Sequence, residues 1–188
     1  MKKVLKVVGI LLLYFGITYA CAFIGLLGPA AWIYGTSTAI AFLAATPVLI
    51  AGAKWTKPGV FILFTGALVV LYVLAGESFQ PEAWISFAVV TALAEIIRAV
   101  IGYKKQMGIR LGYAVNILGL AGSFLPLWFR PEWYYEGAVA EMGSTEYADT
   151  LMKFSNPAGL IVLVILMLVA GYLGCLVSEK IFKGKVTI

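Results

Sequence analysis

The chain has 188 residues, of which 62% are hydrophobic and 12% charged, with a mean hydropathy of +0.98 and a formal net charge of +5. A soluble domain carries about a quarter charged residues, so a water-soluble fold is excluded and one integral membrane domain, residues 1–188, is expected. The chain contains no histidine, which removes the commonest acid–base group and the commonest metal ligand.

The apolar runs predict six transmembrane helices. A crossing needs about 20 apolar residues. The first span covers residues 4–27, too long for the apolar core of a signal peptide, about 7–15 residues, so it is expected to be retained. It stops at Gly28-Pro29. The second covers 30–53 and ends in Lys54-Trp55-Thr56-Lys57. Pro58-Gly59 restarts the chain into a third span over 60–75. A loop at 76–81 leads to the fourth span, 82–103. Lys104-Lys105-Gln106-Met107-Gly108 is a basic turn before the fifth, 109–125. The sixth covers 157–182, with Asn156 as N-cap and Pro157 at the first helical position. Cys21 and Cys175 fall inside spans without companion ligands, so buried thiols are expected, with no disulfide and no metal site.

Charge placement orients this topology. With the N-terminus in the cytoplasm, the inner ends hold Lys2, Lys3, Lys6, Lys54, Lys57, Lys104, Lys105, Arg110, Lys180, Lys183 and Lys185. The outer ends hold Arg130 and Lys153. Such a bias sets orientation, so a cell-membrane protein with both termini cytoplasmic is expected. Glu77, Glu82, Glu132, Glu136, Glu141, Glu146 and Asp149 fall on the outer side. The positive charge is thus an insertion signal, spread over separate helix ends rather than gathered for nucleic acid.

The chemistry concentrates in a long outer loop between the fifth and sixth spans, expected to be irregular as far as residue 142. Residues 120–154 read LAGSFLPLWFRPEWYYEGAVAEMGSTEYADTLMKF. Trp128, Phe129, Trp133, Tyr134 and Tyr135 surround Arg130. Amphipathic rings settle at the headgroup level, so this is either an interfacial belt or an aromatic-walled ligand pocket with polar anchors. Arg130 can grip an anionic ligand group by a forked hydrogen bond, or pair with Glu132 or Glu136. Gly143-Ser144 is expected to cap a short helix over 145–154, a surface helix or a lid, with Tyr147, Leu151 and Phe154 on one face.

Three features lie within spans. Glu95 and Arg98 stand three apart on the fourth, as a self-neutralising pair with Arg98 snorkelling to water or as a link to a partner subunit. Gly16 and Ala20, with Gly9 and Gly25, line the first span with small residues, for packing within the bundle or for docking another helix. Asn116 is expected to hydrogen-bond across helices. The sequence has no GxxxxGK[ST] nucleotide loop and no serine or cysteine beside a histidine. No catalytic site and no cofactor are expected.

Two sets of residues resemble a known family. Lys57-Pro58-Gly59-Val60-Phe61, Ala94-Glu95-Ile96-Ile97-Arg98 and Gly112-Tyr113-Ala114 form one; Gly122-Ser123-Phe124-Leu125-Pro126-Leu127-Trp128-Phe129 and Ser144-Thr145-Glu146-Tyr147 form the other. Together they resemble the substrate-specific (S) components of energy-coupling factor (ECF) transporters called the MptD or Trep_Strep family. The likeness spans nearly the whole chain and is strongest from Gly122 to Phe129. It implies an all-α, six-helix S component that captures a vitamin or other micronutrient outside. Its partners would be a membrane T component and two cytoplasmic ATPases, with toppling in the bilayer as the transport motion. It implies pocket residues among Trp128, Arg130, Trp133, Tyr134, Tyr147 and Asn156. Docking would use Gly16 and Ala20, where Gly16-xxx-Ala20 departs from the AxxxA of S components. The alternative is a stand-alone small-solute carrier or channel, which needs a polar path across the bilayer.

Overall fold

A computed structural model of the chain describes residues 2–74, 76, 79–186 and 188, with side chains from residue 4 onward. The expected placements of the Lys2 and Lys3 side chains, of the third span's end at Ala75 and of Glu77 and Ser78 in the following loop lie outside the described residues. Every regular element among the described residues is helical.

Helix α1, Lys2–Ala22, continues through a 3₁₀ stretch, Phe23–Leu27, to Gly28, whose φ of 128° turns the chain back. The return rod begins with a π-helical turn, Ala31–Gly35, and continues as α2, Thr36–Leu43, and α3, Ala45–Lys54. The break at Ala44 has a local cause. Pro47 lacks the N–H that would bond back to residue 43, and its ring crowds that carbonyl. Helix α4 is Val60–Leu74, α5 is Pro81–Ile101, and α6, Gln106–Asn116, runs on as a 3₁₀ segment, Ile117–Ser123. Three shorter helices follow: α7, Pro126–Phe129; α8, Pro131–Met142; and α9, Thr145–Met152. Helix α10, Pro157–Ile181, closes the bundle.

Four stretches are long and apolar enough to cross a membrane: Val4–Leu27, Ala31–Lys54, Pro81–Ile101 and Pro157–Ile181. Helix α4 has 15 residues, about 22 Å at ~1.5 Å per residue, short of a ~30 Å hydrocarbon core. The rod 106–123 reaches about 30 Å because its last third is 3₁₀ helix, which rises ~2.0 Å per residue. It also carries Arg110 and Asn116.

Small residues set the tightest contacts, as they do between helices in lipid. A Cβ at Gly122 would lie 2.8 Å from the Ala83 Cα of α5, and one at Gly174 of α10 would lie 2.2 Å from the Phe42 carbonyl oxygen of α2. Buried polar groups pair across these seams. Thr65 of α4 bonds Thr91 of α5 at 2.9 Å and donates to Asn116 Oδ1 at 3.3 Å, so Asn116 does bond across helices. Tyr113 donates to the Ala41 carbonyl at 2.9 Å, and Thr46 meets Ser178 at 2.7 Å. Cys21 and Cys175 are buried as free thiols.

Helix α1 sits at the periphery. Only 17% of its span is buried, against 56% for the return rod Ala31–Lys54. Tyr14 anchors it, edge-on to Phe64 of α4 at 5.0 Å.

A candidate solute-binding cleft

At the end of the bundle away from the lysine cluster, where Lys153 is the one lysine, the chain builds a cap from α7, α8 and α9. Trp128 of α7 holds the cap to α10: its indole Nε1 donates to the Phe154 and Asn156 carbonyls at 3.1 and 2.9 Å. Ser155 adds a hydroxyl bond to the Leu127 carbonyl at 2.6 Å. The Asn156 side chain accepts from Gly159 N at 2.9 Å and so caps α10, as its sequence position predicts.

Helix α8 is a difference from the sequence expectation, which left 131–142 without regular structure. Its ends carry ordinary signals. Pro131 opens it, Glu132 lies in its first turn, and Gly143 ends it in the left-handed region at φ 62°. Arg130 ties this helix to α5 through a forked bond to Glu82, at 2.7 and 2.8 Å. The same guanidinium lies 4.5 Å from the centre of the Trp133 ring. Of the partners weighed for Arg130, Glu132 and Glu136 are on α8, which it immediately precedes; the structure uses Glu82 instead.

Helix α9 forms where expected, with Ser144 as its N-cap, accepting from Tyr147 N at 3.4 Å. Leu151 is buried, and Tyr147 and Phe154 pack inward beside it on the same face. Phe154 meets Tyr34 edge-on at 5.4 Å. Tyr135 joins α8 to α9 by donating to Asp149 Oδ1 at 3.1 Å, and that carboxylate raises the phenol above its usual range.

Between this cap and the turn joining α1 to the return rod lies a cleft of about 560 Å³, within the usual range for small-molecule sites. Its walls are the rings of Trp32, Trp133, Tyr134 and Tyr147. Gly25 lets the Trp32 indole lie against the backbone, since a Cβ there would sit 2.3 Å from the ring. Glu141 is the charged residue of the lining. Burial raises the Tyr147 phenol, with the Glu141 charge as a second cause. Burial does the same for Tyr134, outweighing a hydrogen bond with Trp32 that lowers it, while Tyr147 and Glu141 add smaller upward effects. Both phenols therefore keep their protons at neutral pH and stand as donors. The cleft can stack a flat ring, donate from two hydroxyls and accept, or balance positive charge, at one carboxylate.

Of the residues singled out from sequence, Trp133, Tyr134 and Tyr147 come together here. Trp128, Arg130 and Asn156 do not line the cleft; they fasten the cap around it. Sequence reasoning did not consider Trp32, and it named Gly25 only as a small residue of the first span and Glu141 only as an outer acid. The Gly28-Pro29 break just before Trp32 was the available sign that this ring faces an end of the bundle. On α1, Gly16 and Ala20 are exposed, and a Cβ at Gly16 would meet nothing within 4 Å.

Glu95 and Arg98 lie at the other end and serve the turn between α3 and α4. Arg98 is 0% exposed, so it does not snorkel. Its Nη2 donates to the carbonyls of Gly52 and Trp55 at 3.0 and 2.7 Å, closing the end of α3. Glu95 Oε1 accepts from Gly59 N and Phe61 N at 3.1 and 2.9 Å, capping the start of α4. A cation at a helix C-terminus and an anion at an N-terminus each suit the helix dipole.

Four apolar spans, small-residue helix contacts and polar groups paired inside the bundle define an all-α integral membrane protein. The chain belongs to the family described as hypothetical bacterial integral membrane protein (Trep_Strep), whose model matches residues 1–185. No curated protein and no solved structure matches it.

Proposed function

We propose that this chain is the substrate-binding subunit of an ECF-type importer, capturing a vitamin-sized micronutrient at the outer face of the cell membrane. One observation carries the reading: a ring-walled cleft with a single carboxylate, roofed by two short helices, at the end opposite the lysine-rich one. With that lysine-rich end in the cytoplasm, both termini lie inside and the cleft opens outward. In this reading α4 and the rod 106–123 complete a six-span bundle.

Arg130 is held by Glu82, which leaves Glu141 as the charge the solute meets. The reading therefore favours a flat solute with hydrogen-bond donors or positive charge over the anionic group for which Arg130 was first a candidate. The sequence carries no nucleotide loop, so ATP hydrolysis falls to partners, a membrane T component and two cytoplasmic ATPases. The open face of α1 supports such docking: Cβ atoms at Gly9 and Gly16 would meet nothing within 4 Å, which leaves room for another helix to approach closely. The chain's own role is capture and handover, with no catalytic step.

The test begins with mass spectrometry of small molecules released from the purified protein on denaturation. The released compound is then titrated back while tryptophan fluorescence is followed. Trp133→Ala and Glu141→Gln should each weaken binding about tenfold, a loss of ~1.4 kcal/mol, with unfolding temperatures unchanged. Wild-type affinity in both variants would remove the cleft assignment. Uptake by liposomes containing this chain alone would decide for a self-sufficient carrier.

A further inference from the structure

A second cleft, of about 580 Å³, lies at the lysine-rich end between α1, α3 and α4. Three segments bring a lysine to its rim: Lys6 from the start of α1, Lys54 from the last turn of α3, and Lys57 from the turn before α4. All three are exposed, and no acidic residue lines the cleft. Two neighbouring cations are committed elsewhere. Arg98 is buried against the end of α3, and Arg110 is bonded to Glu179.

Below the rim the walls turn apolar, with Ile10 and Leu11 on one side and Ile50 and Phe64 on the other. From Lys54 to Ile50, or from Lys6 to Leu11, is four or five residues of helix, about 6–7.5 Å at ~1.5 Å per residue. Charge therefore gives way to apolar wall over the depth of the first methylenes of an acyl chain. Trp55 stands at the rim and donates to the Pro58 carbonyl at 3.0 Å, at the level where indoles meet lipid headgroups. Two of the three rim segments are also fixed in place, because Arg98 closes the end of α3 and Glu95 the start of α4.

We propose that this cleft binds one anionic phospholipid, its phosphate among Lys6, Lys54 and Lys57 and one acyl chain against Ile10, Leu11 and Ile50. Basic pockets between spans hold such headgroups. A soluble phosphate would use the rim and leave the apolar wall empty, so the lipid is the occupant that matches both halves. The site is separate from the aromatic cleft and does not depend on the import reading.

Native mass spectrometry of the full chain tests it, in detergent with equimolar dioleoyl phosphatidylglycerol and dioleoyl phosphatidylcholine. Wild type should retain one phosphatidylglycerol in preference. Each lysine near an anionic headgroup contributes a factor of about five, so Lys6→Gln/Lys54→Gln/Lys57→Gln should lose affinity on the order of a hundredfold. A control with the same charge change at the same end, Lys104→Gln/Lys105→Gln/Lys180→Gln, should keep it. Leu11→Trp, which fills the wall and leaves every lysine, should also lose the lipid, and excess glycerophosphoglycerol should not displace it. Equal loss in the control, retention in the rim variant, equal retention of phosphatidylcholine, or displacement by the soluble headgroup would each overturn the proposal.

Discussion

Arg98 shows how much one buried charge can organise. Its guanidinium reaches across from α5 to two carbonyls at the end of α3, and Glu95, one turn earlier, holds two amides at the start of α4. A helix that ends inside the bundle leaves carbonyls without partners, and the next one leaves amides. Here two side chains from a third helix answer both. Arg98→Met keeps the apolar stem of the side chain and removes the donors. It should cost about 3 kcal/mol, because two carbonyls lose a charged donor and Glu95 loses a nearby cation. Glu95→Gln keeps an acceptor oxygen in place and should cost about 1 kcal/mol. Thermal unfolding in detergent would rank the two; equal losses would refute this division of roles. The spacing of three was legible in the sequence and suggested that the pair face each other. It carried no trace of the α3–α4 turn coming within reach, which is a fact of packing.

At the scale of elements, the cap separates residues that hold it from residues that face its cleft. Asn156 belongs to the first group. Asn156→Ala should lower stability by about 1 kcal/mol, the usual value of an N-cap, while solute affinity in the fluorescence titration stays at the wild-type level. A joint loss of affinity would return Asn156 to the cleft. Gly143 joins α8 to α9 at φ 62°, where a Cβ is strained. Gly143→Ala should cost about 1 kcal/mol and Gly143→Asn less, since asparagine tolerates this region. The ends of this cap were more legible than its middle. Ser144 and Asn156 announce helix starts by their side-chain chemistry. Helix α8 also had a proline at its start and a glycine at its end, but its run of bulky rings and acids lacks the periodic apolar face by which helices are recognised. Trp32 could not be joined to Trp133 from sequence, because the bundle, not the chain, brings them together.

Across the whole molecule, glycines at seams and glycines on open faces predict opposite outcomes. Gly174→Leu must push a side chain into the α2 backbone at Phe42, and backbone yields little, so a loss of about 3 kcal/mol or failure to fold is expected. Gly16→Leu meets only open space and should leave the unfolding temperature unchanged, although it would block close approach by a partner helix. The sequence showed both as small residues in apolar helices and could not tell them apart. Orientation is the property on which import rests, and the fold makes it measurable. Cys21 and Cys175 are 5% and 0% exposed, so the native chain should react little with a membrane-impermeant maleimide. Glu146 at the cap and Lys183 beyond α10 are both exposed and lie at opposite ends. In intact cells Glu146→Cys should label at once, and Lys183→Cys only after permeabilisation, if the lysine-rich end lies in the cytoplasm as proposed. The reverse pattern would turn the aromatic cleft toward the cytoplasm, where it could not capture a solute from outside.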